Sequence, residues 1–594
     1  MAGTRRDRPV KTPRSLQEWV HWLEIGPGAH WIRRVALLVG VVLLSLRVGY
    51  TQFHGPKTET TLAQAAVGRQ LAAGEGFTTP VRYPQTLATL RARGVKPDFS
   101  RAWPELHQPP LYSALIGGVV SVLPARLSHA LFAKAPVPPD GFGGDYLLLV
   151  LNIALLWLAA WMTFLLGRRW FDASVGLVGS LGLLLSASIW AQTVAVNGTP
   201  LMMVLLLGLF HALARAESAL EAKKSIWPWA LAAGIACGLL FLGDYPAGGV
   251  VLPVLLYSGI RYKGIVRVLA LSSVLAGFVL MVAPWMIRNV GLTGNPLALA
   301  SQNIALKAGD PTAEPEIVRN TLSAAGPVID LNKIGNKGLT GLQLALRGQF
   351  WSGGLLFSAL FAVGLLYSFR GTTVNRLRLV FLVVLAVLIA AQAFIDSGEG
   401  ERMPALYAVP LIAIFGAGFF AVLVASNDCL APHASWLAVL LLGLQALPLV
   451  HDALEPRRLH FDYPPYYPVL FSGMHEDATH RGGAPWMADV PAGAAWYSGQ
   501  TVWSQPAQLR DFYAIGIDQP PYALVLTPHT LDRPFFAELT HVGNNPGRLG
   551  DWAQVYSGLV TNRFPSGFPL VFPQKISENL FVLFNPLVAQ TTGK

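Results

Sequence analysis

Apolar runs of roughly 17–25 residues recur along the chain, and that length matches the hydrocarbon core of a bilayer. They lie at about 31–52, 145–167, 174–193, 198–214, 227–243, 246–260, 265–287, 351–369, 376–395, 403–425 and 434–450. Only 13% of the residues are charged, against about a quarter in an average soluble chain. The pattern predicts a polytopic α-helical membrane protein with about 11 transmembrane helices. A shorter apolar stretch, Leu111 to Leu123, ends at Pro124. It is short for a crossing and reads as a re-entrant or interfacial segment.

Charge sets the topology. Arg5, Arg6, Arg8, Lys11, Arg14, Arg33 and Arg34 precede or open the first run. Basic residues recur at Arg168-Arg169, at Arg215 with Lys223-Lys224, at Arg261, Lys263 and Arg267, and at Arg370, Arg376 and Arg378. Cytoplasmic flanks collect Lys and Arg, so these groups lie inside if 111–123 does not cross. The N-terminus is then cytoplasmic and the C-terminus outside. The basic segment 1–30, with its amphipathic patch Trp19 to Leu23, lies at the membrane surface. The first run has no small-residue cleavage site after it and reads as a retained span. The net charge of +11 belongs to these flanks and calls for no nucleic-acid partner.

The membrane domain runs over 31–450, with a first outer loop at 51–110 and a second large one at 288–350. The tail 451–594 changes to a Pro-, Gly-, Tyr- and Trp-rich composition. Its β-rich runs at Ala494 to Tyr497 and Tyr522 to Leu526, with a helical stretch from Gln505 to Ile515, predict an extracytoplasmic α/β domain. Cys237 and Cys429 form neither a disulfide framework nor a metal site.

Polar residues gather on the outer face in groups. One holds Glu59, Arg69, Glu75 and His107, with a helix-like segment from Thr58 to Gly74. Others are Asp244, the pair Arg288-Asn289, and Asp396, Glu399, Glu401 and Arg402. Ionisable residues at span ends are costly unless paired or functional. Arginine binds phosphate in a bidentate way and a carboxylate takes a proton from an acceptor, so the set suits a lipid-linked phosphate.

Several segments resemble one family. Pro284-Trp285-Met286-Ile287-Arg288-Asn289, followed by Thr293-Gly294-Asn295-Pro296, is similar to its PW-x-x-RN…G-x-P segment. His107-Gln108-Pro109-Pro110-Leu111-Tyr112 resembles its H-x-PPLY motif, and Gly68 to Phe77 its AR-N-L-x-x-G-x-GF segment. Arg402-Met403-Pro404 through Pro410 resembles its late RY-x-x-P-x-x-P element, and Asn197 to Leu201 its Thr-Glu-Pro-Leu. The family comprises GT-C fold membrane glycosyltransferases that use lipid-linked sugars, the broad group of dolichyl-phosphate-mannose protein mannosyltransferases and aminoarabinose transferases. The resemblance covers about residues 31–425.

It implies a glycosyltransferase of a bacterial inner membrane, with a polyprenyl-phosphate sugar donor, a glycan, lipid or protein acceptor, inversion, and no cofactor or metal. It implies Glu59 as catalytic base, and His107, Arg288, Asn289, Arg402, Asp244 and Arg69 as substrate and lipid-phosphate contacts. The chain also departs from the family. The usual acid before the Arg69 segment falls on Thr60-Thr61, one position after Glu59, and Asp244 stands where many members carry a basic residue. Those departures motivate a second reading, a non-catalytic component of an envelope-polysaccharide or glycosylation system. A transporter is disfavoured, because no Gly/Pro-broken spans match between two halves.

Overall fold

The computed structural model describes residues 27–132, 141–304, 319–325, 331–347, 356–394, 403–455, 470, 473–475, 485–531, 552–577 and 579–586. Arg402, with Asp396, Glu399 and Glu401, lies outside the described residues, as does the amphipathic patch at Trp19 to Leu23.

Helices in chain order are α1 (Pro27–Gln52), α2 (Glu59–Ala72), α3 (Pro84–Ala92), α4 (Leu111–Val122), α5 (Ala125–Phe132), α6 (Gly143–Trp170), α7 (Ala173–Leu184), α8 (Ala187–Val194) and α9 (Thr199–Glu221). There follow α10 (Trp227–Gly243), α11 (Val251–Arg261), α12 (Gly264–Thr293), α13 (Leu331–Arg347), α14 (Leu356–Gly364), α15 (Thr372–Phe394), α16 (Val409–Ala425) and α17 (Ala434–Leu454). The last are α18 (Pro491–Ser498), α19 (Leu509–Asp518), α20 (Pro528–Leu531) and α21 (Ala553–Thr561). Among the described residues, 6 helices are long and apolar enough to cross a membrane, or 7 if α7 and α8, bent by 55°, form one broken span. The protein is a multi-pass membrane protein.

Small residues let the spans pack closely. A Cβ on Gly277 of α12 would stand 2.5 Å from the Leu231 carbonyl oxygen of α10, and one on Gly234 would stand 2.1 Å from that of Val274. Both obstacles are backbone, which cannot rotate away. Gly277→Val is therefore expected to destabilise the protein by about 1–3 kcal/mol, read as a lower melting temperature of the detergent-purified protein.

The loop 51–110 is ordered. Thr58 caps α2, its Oγ1 accepting the Thr61 N–H at 3.2 Å. Helix α4 lies against α2 at a glycine crossing, where a Cβ on Gly117 would meet the Gly68 carbonyl oxygen at 2.9 Å. Its 12 residues rise about 18 Å, short of the ~30 Å hydrocarbon core.

A 6-stranded sheet has the order β2-β5-β4-β6-β8-β7. Strand β1 (Thr78–Thr79) pairs instead with β3 (Trp103–Pro104). In the larger sheet β2 (Val81–Arg82), β5 (Val502–Ser504), β4 (Trp486–Ala488) and β6 (Ala523–Leu526) run parallel. Strands β8 (Leu580–Phe584) and β7 (Phe572–Ser577) complete it in antiparallel fashion. The edge strand β2 comes from the 51–110 loop, so the α/β unit is not confined to residues after 450.

Its core is shared too. Leu87 and Trp103 of the loop pack with Met487, Trp503, Phe512 and Leu524 of the tail. Arg82 is buried in this contact. Its Nη1 donates to Gln519 Oε1 at 2.7 Å, its Nη2 to the Phe99 carbonyl, and its guanidinium lies 5.6 Å from the Trp103 ring. The run Ala494 to Tyr497, read above as β-rich, lies within α18. All eight residues of that helix are buried, so no helical periodicity marks it in the sequence.

Candidate active site

The carboxyl ends of the four parallel strands bring the polar residues together. Strand β2 exits into Tyr83, whose ring meets His107 edge-on at 4.9 Å, and Thr86 Oγ1 lies 3.1 Å from His107 Nε2. His107 belongs to a tight turn around Glu105. Glu105 Oε1 accepts the backbone N–H of His107 at 2.6 Å and of Gln108 at 2.9 Å. Glu105 is 3% exposed, and its Oε2 is buried without a hydrogen-bond partner.

Arg288, near the C-terminal end of α12, holds this turn. Its Nη1 donates to the Glu105 carbonyl oxygen at 3.1 Å and to Asn289 Oδ1 at 3.1 Å, and its Nη2 to the Phe77 carbonyl oxygen at 3.0 Å. The guanidinium lies 4.5 Å from the Trp285 ring centroid, one helical turn back. Asn289 Nδ2 donates to the Pro296 carbonyl oxygen at 3.0 Å, which folds the chain after the span. Trp285 Nε1 donates to Tyr245 Oη at 2.8 Å. The neighbouring Asp244 accepts from Tyr407 Oη at 3.0 Å. The late Pro404–Ala408 turn thus reaches the same side of the molecule as the Asp244 turn.

Arg319 adds a second guanidinium, which acts electrostatically on both Glu105 and His107. Its Nε is buried without a partner. The next residue ties this group to the sheet. The Asn320 carbonyl oxygen accepts the Ala507 N–H at 2.8 Å, and its Oδ1 accepts from Ser504 Oγ at 2.6 Å at the end of β5.

Burial raises the Glu105 pKa above the usual carboxylate range, outweighing its two N–H bonds and the arginines. Burial, and then Arg319, holds the His107 pKa well below its ordinary value, so its imidazole is neutral at pH 7. The group therefore combines a buried carboxyl that has a high proton affinity and a free oxygen, a neutral histidine and two cations, of which Arg288 is held by hydrogen bonds.

Glu59 and Arg69 meet a different partner. Glu59 Oε2 accepts the Ala492 N–H at 2.7 Å and Oε1 the Gly493 N–H at 2.9 Å, the first turn of α18. Arg69 Nη1 donates to the Trp496 carbonyl oxygen at 3.4 Å near the other end, and its guanidinium lies 4.8 Å from the Phe132 ring. An acid at the N-terminus and a cation at the C-terminus both favour the helix dipole. Asp145 completes the seat, accepting Trp496 Nε1 at 2.8 Å and Tyr497 Oη at 3.0 Å. Helix α18 follows β4, so Glu59 still reaches the carboxyl edge of the sheet.

Of the residues singled out in the sequence, the structure groups His107, Arg288 and Asn289, and puts Asp244 next to Tyr245 of that group. It places Glu59 and Arg69 on α18 rather than on Arg288. Sequence reasoning missed Glu105 and Arg319. Glu105 had a signal, an acid two residues before the His107 motif. Arg319 had none beyond its place in the expected outer loop 288–350.

No protein-family model and no curated protein matches the sequence. Solved structures do. The Archaeoglobus fulgidus oligosaccharyltransferase, in a complex with Zn and sulfate, aligns with a TM-score of 0.51 at 11% identity, over 86% of this chain and 70% of that one. ArnT from Cupriavidus metallidurans aligns with a TM-score of 0.49 at 14% identity, over 94% of this chain and 98% of that one. The arabinofuranosyltransferase AftD from Mycobacteria aligns with a TM-score of 0.47 at 15% identity, over 83% and 36%. The chain has the GT-C fold that it shares with the archaeal oligosaccharyltransferase.

Proposed function

We propose that the protein is an integral-membrane glycosyltransferase, moving a sugar from a polyprenyl-phosphate donor to an acceptor hydroxyl at the outer face of a bacterial inner membrane. The observation that carries this is the buried Glu105 carboxylate, with one oxygen unpartnered, beside Arg288 and Arg319. The GT-C fold and the motif resemblance agree with it. In this reading eleven spans place the N-terminus inside and the α/β unit outside.

Glu105 Oε2 takes the proton of the acceptor hydroxyl. The acceptor oxygen attacks the anomeric carbon and the bond from that carbon to the phosphate oxygen breaks. The polyprenyl phosphate leaves with the electron pair, inverting the anomeric centre. A guanidinium has five N–H donors. Arg288 uses three in the bonds above and offers the rest to the leaving phosphate. Arg319 supplies further positive charge, and the motif resemblance alone adds Arg402 as a phosphate contact. Neutral His107 positions the loop and donates or accepts without adding charge.

The geometry favours Glu105 over Glu59 as the base, because both Glu59 oxygens already accept backbone N–H groups. Glu59 then acts by seating α18. A Gln at 59 keeps one accepting oxygen, so Glu59→Gln is expected to lower transfer by less than about tenfold, whereas loss of a general base costs about 10²–10⁴-fold. Transfer of labelled sugar from a set of polyprenyl-phosphate sugars by proteoliposomes measures this. A drop of the larger size at Glu59 would return the base to that residue.

The second reading, a non-catalytic component of an envelope or glycosylation system, is favoured by the same engagement of Glu59 and by Thr60-Thr61 at the family's acidic position. Absence of transfer by the wild-type protein with every donor would select it.

A further inference from the structure

We infer that the crevice at the carboxyl ends of β4 and β6 binds the acceptor through a neutral hydroxyl-bearing group, with Asp489 receiving its hydrogen bond. This rests on the glycosyl-transfer reading above.

Topology locates the crevice. The chain leaves β4 for β5 on one side and then crosses to β6 on the other, in the order β5-β4-β6. Connections diverge between β4 and β6, and open parallel sheets bind ligands outside the carboxyl ends of strands at such a point. Asp489 is the first residue after β4 and Thr527 the first after β6. Asp489 Oδ2 accepts the Thr527 N–H at 2.8 Å and its Oγ1 hydroxyl at 3.0 Å, which fixes the carboxylate across the two strand ends. Its Oδ1 is buried and accepts no hydrogen bond of normal geometry, although the Thr530 side chain on α20 lies close enough to favour the charged form of the same carboxylate. Leaving such a group unsatisfied costs about 1–3 kcal/mol, which a hydroxyl donor from a ligand would recover.

The surroundings define the ligand class. Asp489 and the Glu59 carboxylate, the latter on the first turn of α18, stand on the same edge of the sheet. Two carboxylates oppose a phosphate or other anion there. Gln505, just after β5, is oriented by its Nε2 bond to Tyr556 Oη at 2.7 Å. His529 is exposed at the rim and acts electrostatically on Asp489. The same carboxyl edge carries Asn320 and hence Arg319. The hydroxyl site and the charged group around Glu105 are thus two ends of one edge, an uncharged acceptor at the first and a phosphate at the second.

The test uses the full chain in nanodiscs without donor, probed with methyl glucoside, mannoside, galactoside and arabinofuranoside by saturation-transfer NMR. Wild type is expected to bind at least one of them. Asp489→Asn, which keeps an oxygen for Thr527 but removes the charge, is expected to weaken that binding by roughly 10–100-fold, the size of a hydrogen bond to a charged group. Thr527→Val keeps the carboxylate and is expected to weaken it less. Equal binding by wild type and Asp489→Asn, or no binding of any glycoside by wild type, overturns the inference. Binding that depends on Asp489 with no transfer from any donor would instead overturn the transfer reading and leave the site standing.

Discussion

On the transfer reading, Glu105→Gln is expected to lower kcat by about 10²–10⁴-fold with little change in KM. The amide still accepts the His107 and Gln108 N–H bonds through its oxygen, so the turn is retained while the base is lost. Near wild-type transfer by this variant would remove Glu105 from the reaction. The pH profile gives a second readout. The base must be ionised to act, and burial raises its pKa, so the acid limb of kcat/KM lies above the usual carboxylate range. His107 adds no inflection near neutrality, because its pKa is pushed well down. The sign for stability is opposite to that for activity. Glu105 holds its proton more tightly in the folded state, so its contribution to stability is full below the unfolded pKa and fades as pH rises through the folded one.

Arg261→Ala is the substitution expected to cost most in stability, about 3–5 kcal/mol. Glu217 on α9 is fully buried, and it accepts from Tyr257 Oη at 2.5 Å and from Arg261 Nε at 3.1 Å. Arg261 Nη2 lies 3.1 Å from Oε2, and Arg376 Nη1 of α15 approaches at 3.5 Å. These bonds tie α9, α11 and α15 together at one end of the bundle. Removing Arg261 leaves the carboxylate charge buried with a single, longer arginine contact. Replacing the pair together, Arg261→Met with Glu217→Leu, removes that stranded charge and is expected to lose less than Arg261→Ala alone. Thermal unfolding of the purified variants measures both. Equal losses would show that packing, rather than the stranded charge, dominates.

Much of the architecture is legible in the sequence because it follows from composition over long windows. The apolar runs correspond to helices, including a broken one at 173–194 and a 3-10 turn before α11. The cap at Thr58 and the short helix after His107 are also visible, since a hydroxyl before the helix and a proline pair are local signals. The α/β character of the tail is legible, but its boundary is not. A two-residue strand such as β2 has no periodicity to read, and its pairing with β5 joins residues more than 400 positions apart.

The site divides in the same way. His107, Arg288 and Asn289 are singled out by motif, and span-end charges stand out because they are costly. That Arg288 uses its donors on the carbonyls of Phe77 and Glu105 is decided only by the loop folding back onto α12. The role of Glu59 is also decided there. An acid at the start of a helix looks the same in sequence whether it serves its own dipole, a substrate or another helix. Only the docking of α18 shows that its oxygens accept two of that helix's backbone N–H groups. By itself the sequence determines a set of long apolar helices with polar residues near their ends, because hydrophobic length acts locally. Which acid is left with an unpartnered oxygen depends on contacts between distant segments, and only the tertiary structure decides it.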